Sequence, residues 1–201
     1  MARKKDQTAR RLQLTEAAQR AIAEHGAIAV RIEHVAQEAG VSPNTVRYYF
    51  KDVEELLWEA HRRAIERFYT KRLEQARAIE DPVEKLVATI DSGIASGPDD
   101  LETRLLCEGL RLARDSELFS VLMTTLHKQQ ELLYESILEL GAAKGVFKLA
   151  DDVHTIAQTL VALEDICGIR MMQNDPTIDH AEGRRLVLAY ARLATGVDLP
   201  G

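Results

Sequence analysis

The chain has 201 residues, 46% of them hydrophobic and 5% aromatic, and a net charge of −6. That length suffices for a small head and one larger body with a core of its own. No segment approaches a membrane span, and the start MARKKDQTARR, with five cations in eleven residues, is too polar for a signal peptide. Cys107 and Cys167 lie far apart in helical segments, without metal-ligand spacing or an export signal. They are expected as reduced core thiols of a cytoplasmic protein, with redox sensing as the lesser alternative.

The charge is unevenly spread. Residues 1–51 hold nine Lys or Arg against five acids, a balance of +4, whereas the remainder stands at −10. A basic head on an acidic body suits a protein that meets phosphates at one end only. The first eleven residues are expected to form a flexible basic arm, either following DNA phosphates or the minor groove on binding, or acting as a disordered, solubilising terminus.

A first helix is expected from about Thr8 to His25, with Leu14, Ala17, Ala18, Ala21 and Ile22 on one side and Gly26 as its stop. Ile32, Val35, Ala36 and Ala39 then mark a short second helix that Gly40 ends. Ser42 offers an N-cap oxygen and Pro43 a first-turn proline for a third helix, in which Val46, Tyr49 and Phe50 turn inward. Asn44, Thr45, Arg47, Tyr48 and Lys51 point elsewhere, the donors and cations that a major-groove reading helix presents. Asp52 and Glu55 form a capping-box pair for the next helix, with Val53, Leu56, Leu57 and Ala60 on its buried face.

The strings AAQRAIAEHG, VAQEAGVSPNTVRYYF and KDVEELL resemble the DNA-binding domain of the tetracycline-repressor (TetR) family of bacterial transcription regulators over residues 8–57. The resemblance implies a homodimer that grips double-stranded operator DNA through residues 42–51 and releases it when a small-molecule effector enters the C-terminal domain. The chain departs from the family pattern at several positions. Val30 and Arg31 stand where a Thr or Ser usually meets a phosphate, so that contact falls to the charge of Arg31. Asn44 replaces a common glycine, Arg47 a common tyrosine, and Val53 a common lysine. Ser42, Thr45, Tyr48, Tyr49 and Lys51 are therefore expected at the DNA backbone or as caps, and Asn44 and Arg47 at base edges.

The body reads as helical throughout. Asp81, Pro82 and Glu84 start a helix that Ser96, Gly97 and Pro98 end; others are expected over about 101–114, 116–143, 152–172 and 180–195. The class is thus all-α, about nine helices, with a three-helix helix-turn-helix domain over 1–52 and a ligand-binding and dimerisation bundle over 53–201. The last two helices carry small and aliphatic residues on more than one face, which points to a homodimer through them. A two-fold dimer would set two reading helices about 34 to 36 Å, or a multiple of it, apart and predicts a palindromic operator. The segment GAAKGVFKLADDVHTIAQTLVALEDICGIRMM resembles the C-terminal domain of the family's choline/betaine-regulator branch.

The effector's identity is not written in the sequence. Phe68, Cys107, Glu108, Arg111, His127, Glu131 and Asp165 lie close to apolar stripes and are the pocket candidates, each balanced against an ordinary surface or core role. An inward Arg111 favours an anion, and an inward Glu131 or Asp165 a cation. No nucleophile elbow, phosphate loop, dinucleotide fingerprint or metal motif is present, so no enzyme activity, cofactor or metal is expected; His127 and Glu131, one turn apart, lack further ligands. The leading expectation is a ligand-released repressor. The alternatives are a ligand-independent architectural or partner-recruiting DNA-binding protein and an all-helical enzyme or lipid-binding bundle.

Overall fold

The computed structural model describes residues 2–200, with side chains from residue 7 onward. Among the described residues the chain forms nine helices and no strand: α1 (Ala2–His25), α2 (Ile32–Ala39), α3 (Pro43–Tyr49), α4 (Val53–Arg77), α5 (Pro82–Gly93), α6 (Leu101–Ala113), α7 (Glu117–Ala143), α8 (Val153–Met172) and α9 (His180–Thr195). The first helix begins at Ala2 rather than near Thr8, because no breaker separates the Ala-, Lys- and Arg-rich start from the periodic segment. The side chains of residues 1–6, part of the basic arm, lie outside the described residues.

Two compact units divide the chain: Met1–Glu66 with Arg104–Met123, and Arg67–Thr103 with Thr124–Gly201. In the first, Leu14, Ala17, Ala18, Ala21 and Ile22 of α1 meet Val35 and Ala36 of α2, Val46 of α3, Phe50, and Leu56 and Ala60 of α4, all buried. Ala39 and Val53, expected on these faces, are half-buried. Gly40 ends α2 with φ 64°, and the Val41 N–H donates back to the Ala36 carbonyl at 2.9 Å. A left-handed residue there turns the chain sharply enough to start α3 at once. Asp52 accepts from the Glu55 N–H at 2.8 Å as expected, but the Glu55 carboxylate reaches the Lys51 N–H instead of closing the box on Asp52.

In the second unit the core is built from Leu86 and Ile90 of α5, Leu133, Tyr134, Ile137 and Leu138 of α7, Ile156, Leu160 and Cys167 of α8, and Val187, Leu188 and Ala191 of α9. Asp81, Asp152 and Asp179 cap α5, α8 and α9 by accepting from backbone N–H groups. Gly141 leaves room for the Phe147 ring, which would lie 2.0 Å from a Cβ placed there. The segment after α7 then pairs with the end of α9, Lys148 N–H to Thr195 O at 2.8 Å and Ala150 N–H to Ala194 O at 2.9 Å. Ile166 of α8 and Leu193 of α9 stand exposed.

Candidate nucleic-acid interface

The local sequence positions the reading helix. The Ser42 Oγ accepts from the Thr45 N–H at 3.2 Å and lies 2.9 Å from the Thr45 hydroxyl, and Pro43 occupies the first turn. Val46 and Phe50 anchor one face of α3 in the core, which leaves Asn44, Arg47 and Tyr48 exposed, the last by 70%. Tyr49, expected to turn inward, is half-buried and packs edge-on against Tyr48 with ring centroids 5.0 Å apart. Arg10, Gln13, Ser42, Asn44, Thr45 and Tyr48 line an open groove between the start of α1 and α3. Its walls are hydrogen-bonding groups, suited to a phosphodiester backbone.

Cations of this unit divide by what they already hold. Arg11 donates to the Tyr49 carbonyl at 2.5 Å and to Glu55 at 2.7 Å, and its guanidinium lies 4.2 Å from the Phe50 ring centroid, so it braces α1 against the ends of α3 and α4. Arg20 bonds Glu38 at 3.0 Å and joins α1 to α2. Arg47 donates to Glu33 at 2.7 Å, both side chains being about half exposed. Arg31 stands exposed at the N-cap of α2, its N–H donating to His34 Nδ1 at 3.3 Å, and Lys51 is exposed with its ammonium 3.9 Å from Asp52.

The seven pocket candidates are divided between the two units. Cys107, Glu108 and Arg111 belong to the unit that holds α3, and there Glu108 accepts from the Ala27 N–H at 2.7 Å while pairing with Arg111 at 3.1 Å. Arg104 of the same helix reaches the Ala23 carbonyl at 3.4 Å. Phe68, His127, Glu131 and Asp165 belong to the second unit, where His127 and Asp165 are 3.4 Å apart. Burial pushes the Asp165 carboxyl up, against the pull of His127. One Glu131 oxygen is buried without a hydrogen-bond partner, 3.7 Å from the Lys128 ammonium.

Two buried polar features escaped the sequence reading. In the second unit Arg72, 1% exposed, donates to Glu164 at 3.0 and 3.1 Å, to the Thr89 carbonyl at 3.0 Å, to the Tyr134 hydroxyl at 3.3 Å and to Gln130. The Tyr134 hydroxyl also donates to Glu164, and the Phe68 ring centroid lies 5.3 Å from the guanidinium. Burial pushes the Glu164 carboxyl up to about 7, with Arg72 and Tyr134 pulling it back. Gly93 makes this possible, since a Cβ there would stand 2.1 Å from a Glu164 oxygen. The missed signal was an interrupted stripe: Arg72 falls between Phe68 and Ala76, and Glu164 between Leu160 and Cys167, at the spacing of the buried face.

His61 is the other, in the first unit. Its Nδ1 lies 2.8 Å from the Leu57 carbonyl and so carries the proton, leaving a buried Nε2 acceptor without a partner beside the Phe119 ring. Burial lowers its pKa, so the ring is neutral. Among the described residues no three His, Cys, Asp or Glu side chains gather to hold a metal, and no helix is long and apolar enough to cross a membrane.

A capped, outward-facing α3 on a small helical core forms a helix-turn-helix unit, followed by a helical body. Residues 14–60 match the model of the bacterial regulatory proteins of the tetR family, and no curated protein matches the chain. The whole architecture is shared with a transcriptional regulator from Saccharomonospora viridis in complex with choline, at 23% identity over 92% of this chain and 96% of that one, TM-score 0.85. It is shared also with a TetR regulator from Haloarcula marismortui, at 22% identity, 94% and 99% coverage and TM-score 0.84. FadR from Bacillus subtilis in complex with stearoyl-CoA has the same fold, at 22% identity, 93% and 99% coverage and TM-score 0.73. Residues 14–60 thus match a DNA-binding domain of the tetR type, and the chain as a whole shares its fold with these regulators.

Proposed function

We propose that this regulator is a homodimeric repressor that binds a palindromic operator through α3 and is released from it by a small molecule. The observation that carries the ligand-responsive part is the hold of α6 on the end of α1 and the turn after it, through Arg104 at the Ala23 carbonyl and Glu108 at the Ala27 N–H. A movement of α6 is thereby transmitted to the helices that carry α3. An effector that favours one placement of α6 over another shifts the population of operator-competent heads, by no more than its difference in affinity for the two states. The orphan Nε2 of His61, in the same unit, offers such an effector a buried acceptor for one hydrogen bond.

In this reading residues 1–52 are the DNA-binding domain and 53–201 the effector and dimerisation domain, of a protein working in the cytoplasm. The exposed Ile166 and Leu193, on helices otherwise packed into the second unit's core, support dimerisation through α8 and α9. Arg31, Ser42, Thr45, Tyr48, Tyr49 and Lys51 serve the DNA backbone, and Asn44 and Arg47 the bases. Structural relatives carrying choline and stearoyl-CoA support a small-molecule effector without choosing its charge.

The test is recovery of bound fragments from genomic DNA by the purified protein, followed by addition of choline or a long-chain acyl-CoA. A palindrome that one probe releases is the expected result. A palindrome that neither these nor any wider metabolite pool releases would favour a ligand-independent architectural role.

A further inference from the structure

Glu33 is an acid on a surface that has to approach DNA. It lies in the first turn of α2, its side chain 56% exposed, and its carboxylate holds the Arg47 Nη2 at 2.7 Å. An ion pair this exposed contributes little to folding, and an uncompensated anion there opposes association with phosphates. The other two interhelical pairs of the head explain themselves structurally: Arg11 also binds the Tyr49 carbonyl and stacks on Phe50, and Arg20 fastens α1 to α2. Glu33 links α2 to α3, but unlike them it does so through an arginine on the outer, exposed face of α3.

We infer that Glu33 is a specificity-determining residue, holding the Arg47 guanidinium toward base edges and away from the phosphate backbone. The guanidinium carries five N–H donors in a planar fork, and Glu33 engages only one nitrogen, so the remaining edge is presented in a fixed orientation. A phosphate approaching that edge meets the Glu33 charge beside it. The guanine O6 and N7 acceptors carry no net charge and escape that repulsion. The Glu33 carboxyl is held below the usual range by its own backbone N–H and by Arg47, so the anion is in place at neutral pH.

The inference rests on α3 reading DNA, and the experiment separates the two. Wild-type protein selects a preferred sequence from a randomised duplex library. Affinities for that sequence and for random duplex are then measured for wild type, Glu33→Gln, Arg47→Ala and the double variant at several salt concentrations. Glu33→Gln is expected to tighten binding to random duplex, to steepen its salt dependence by about one phosphate contact and to cut sequence preference about tenfold. In the Arg47→Ala background the Glu33 change is expected to do nothing further to preference. Equal effects on both duplexes, or an undiminished effect without Arg47, would overturn the role of Glu33 while leaving α3 as the reader. Failure of the wild type to select any sequence would overturn both.

Discussion

The same chemical pair, an arginine and a glutamate, stands on the surface of the head as Arg47–Glu33 and in the interior of the body as Arg72–Glu164, with opposite consequences. Arg47–Glu33 is half exposed on both sides, whereas Arg72 and Glu164 are 1% and 3% exposed. Water reaches both members of the first pair, so the pair contributes little to folding. The second has given up its hydration and is held by buried partners, Gln130, Tyr134 and the Thr89 carbonyl. One arrangement leaves an oriented guanidinium edge open to solvent on the outer face of α3; the other fixes the relative placement of α4, α5, α7 and α8 within the second unit.

The comparison breaks most sharply at Arg72. Arg72→Met leaves Glu164 buried without its counter-ion and is expected to cost about 3–5 kcal/mol at pH 8, read by chemical denaturation. Adding Glu164→Leu should restore most of that loss, because an apolar pair needs no compensation. The pH dependence sharpens the point. The Glu164 carboxyl titrates near 7 in the folded protein, above its ordinary 4.5, so its protonated form favours folding. Its contribution is complete below about 4.5 and is lost as pH rises through about 7. The double variant should lack that component, and the Arg72→Met penalty should shrink as pH falls and the stranded carboxyl takes up a proton.

Gly93→Ala comes next. The added methyl would sit 2.1 Å from a carboxylate that Arg72 and Tyr134 hold in place. A loss of about 1–3 kcal/mol is expected, measured by thermal unfolding; no loss would mean that Glu164 is free to move. Ser42→Ala should cost about 1 kcal/mol through the lost cap on α3 and weaken operator binding as the helix frays. Smallest in stability is Arg47→Ala, which should leave the melting temperature unchanged while reducing operator preference by at least tenfold.

How far the sequence revealed this molecule follows the same divide. Helix ends were legible because they are local: Ser42 with Pro43, Asp81 with Pro82, Gly40 and Gly196 each act within a few residues, and the helices start or stop beside them. The outward face of α3 was legible for a related reason, since Val46 and Phe50 fix which side is buried. The Arg72 cluster was not, because its partners lie 17 to 92 positions from Arg72 in sequence and each looks like an ordinary polar residue until an interrupted stripe is noticed. Glu108 shows the same limit in reverse. Its place beside an apolar stripe suggested a pocket, and nothing local announced its bond to a backbone N–H 81 positions away.

The most direct test of the central claim, that the outer face of α3 reads an operator, is a titration of wild type and Arg47→Ala against the recovered palindrome and a random duplex at fixed salt. The account predicts that wild type prefers the palindrome by about a thousandfold or more and that Arg47→Ala loses affinity chiefly for the palindrome. Equal losses on both duplexes would reduce Arg47 to a phosphate contact and contradict the claim that this face carries the sequence reading.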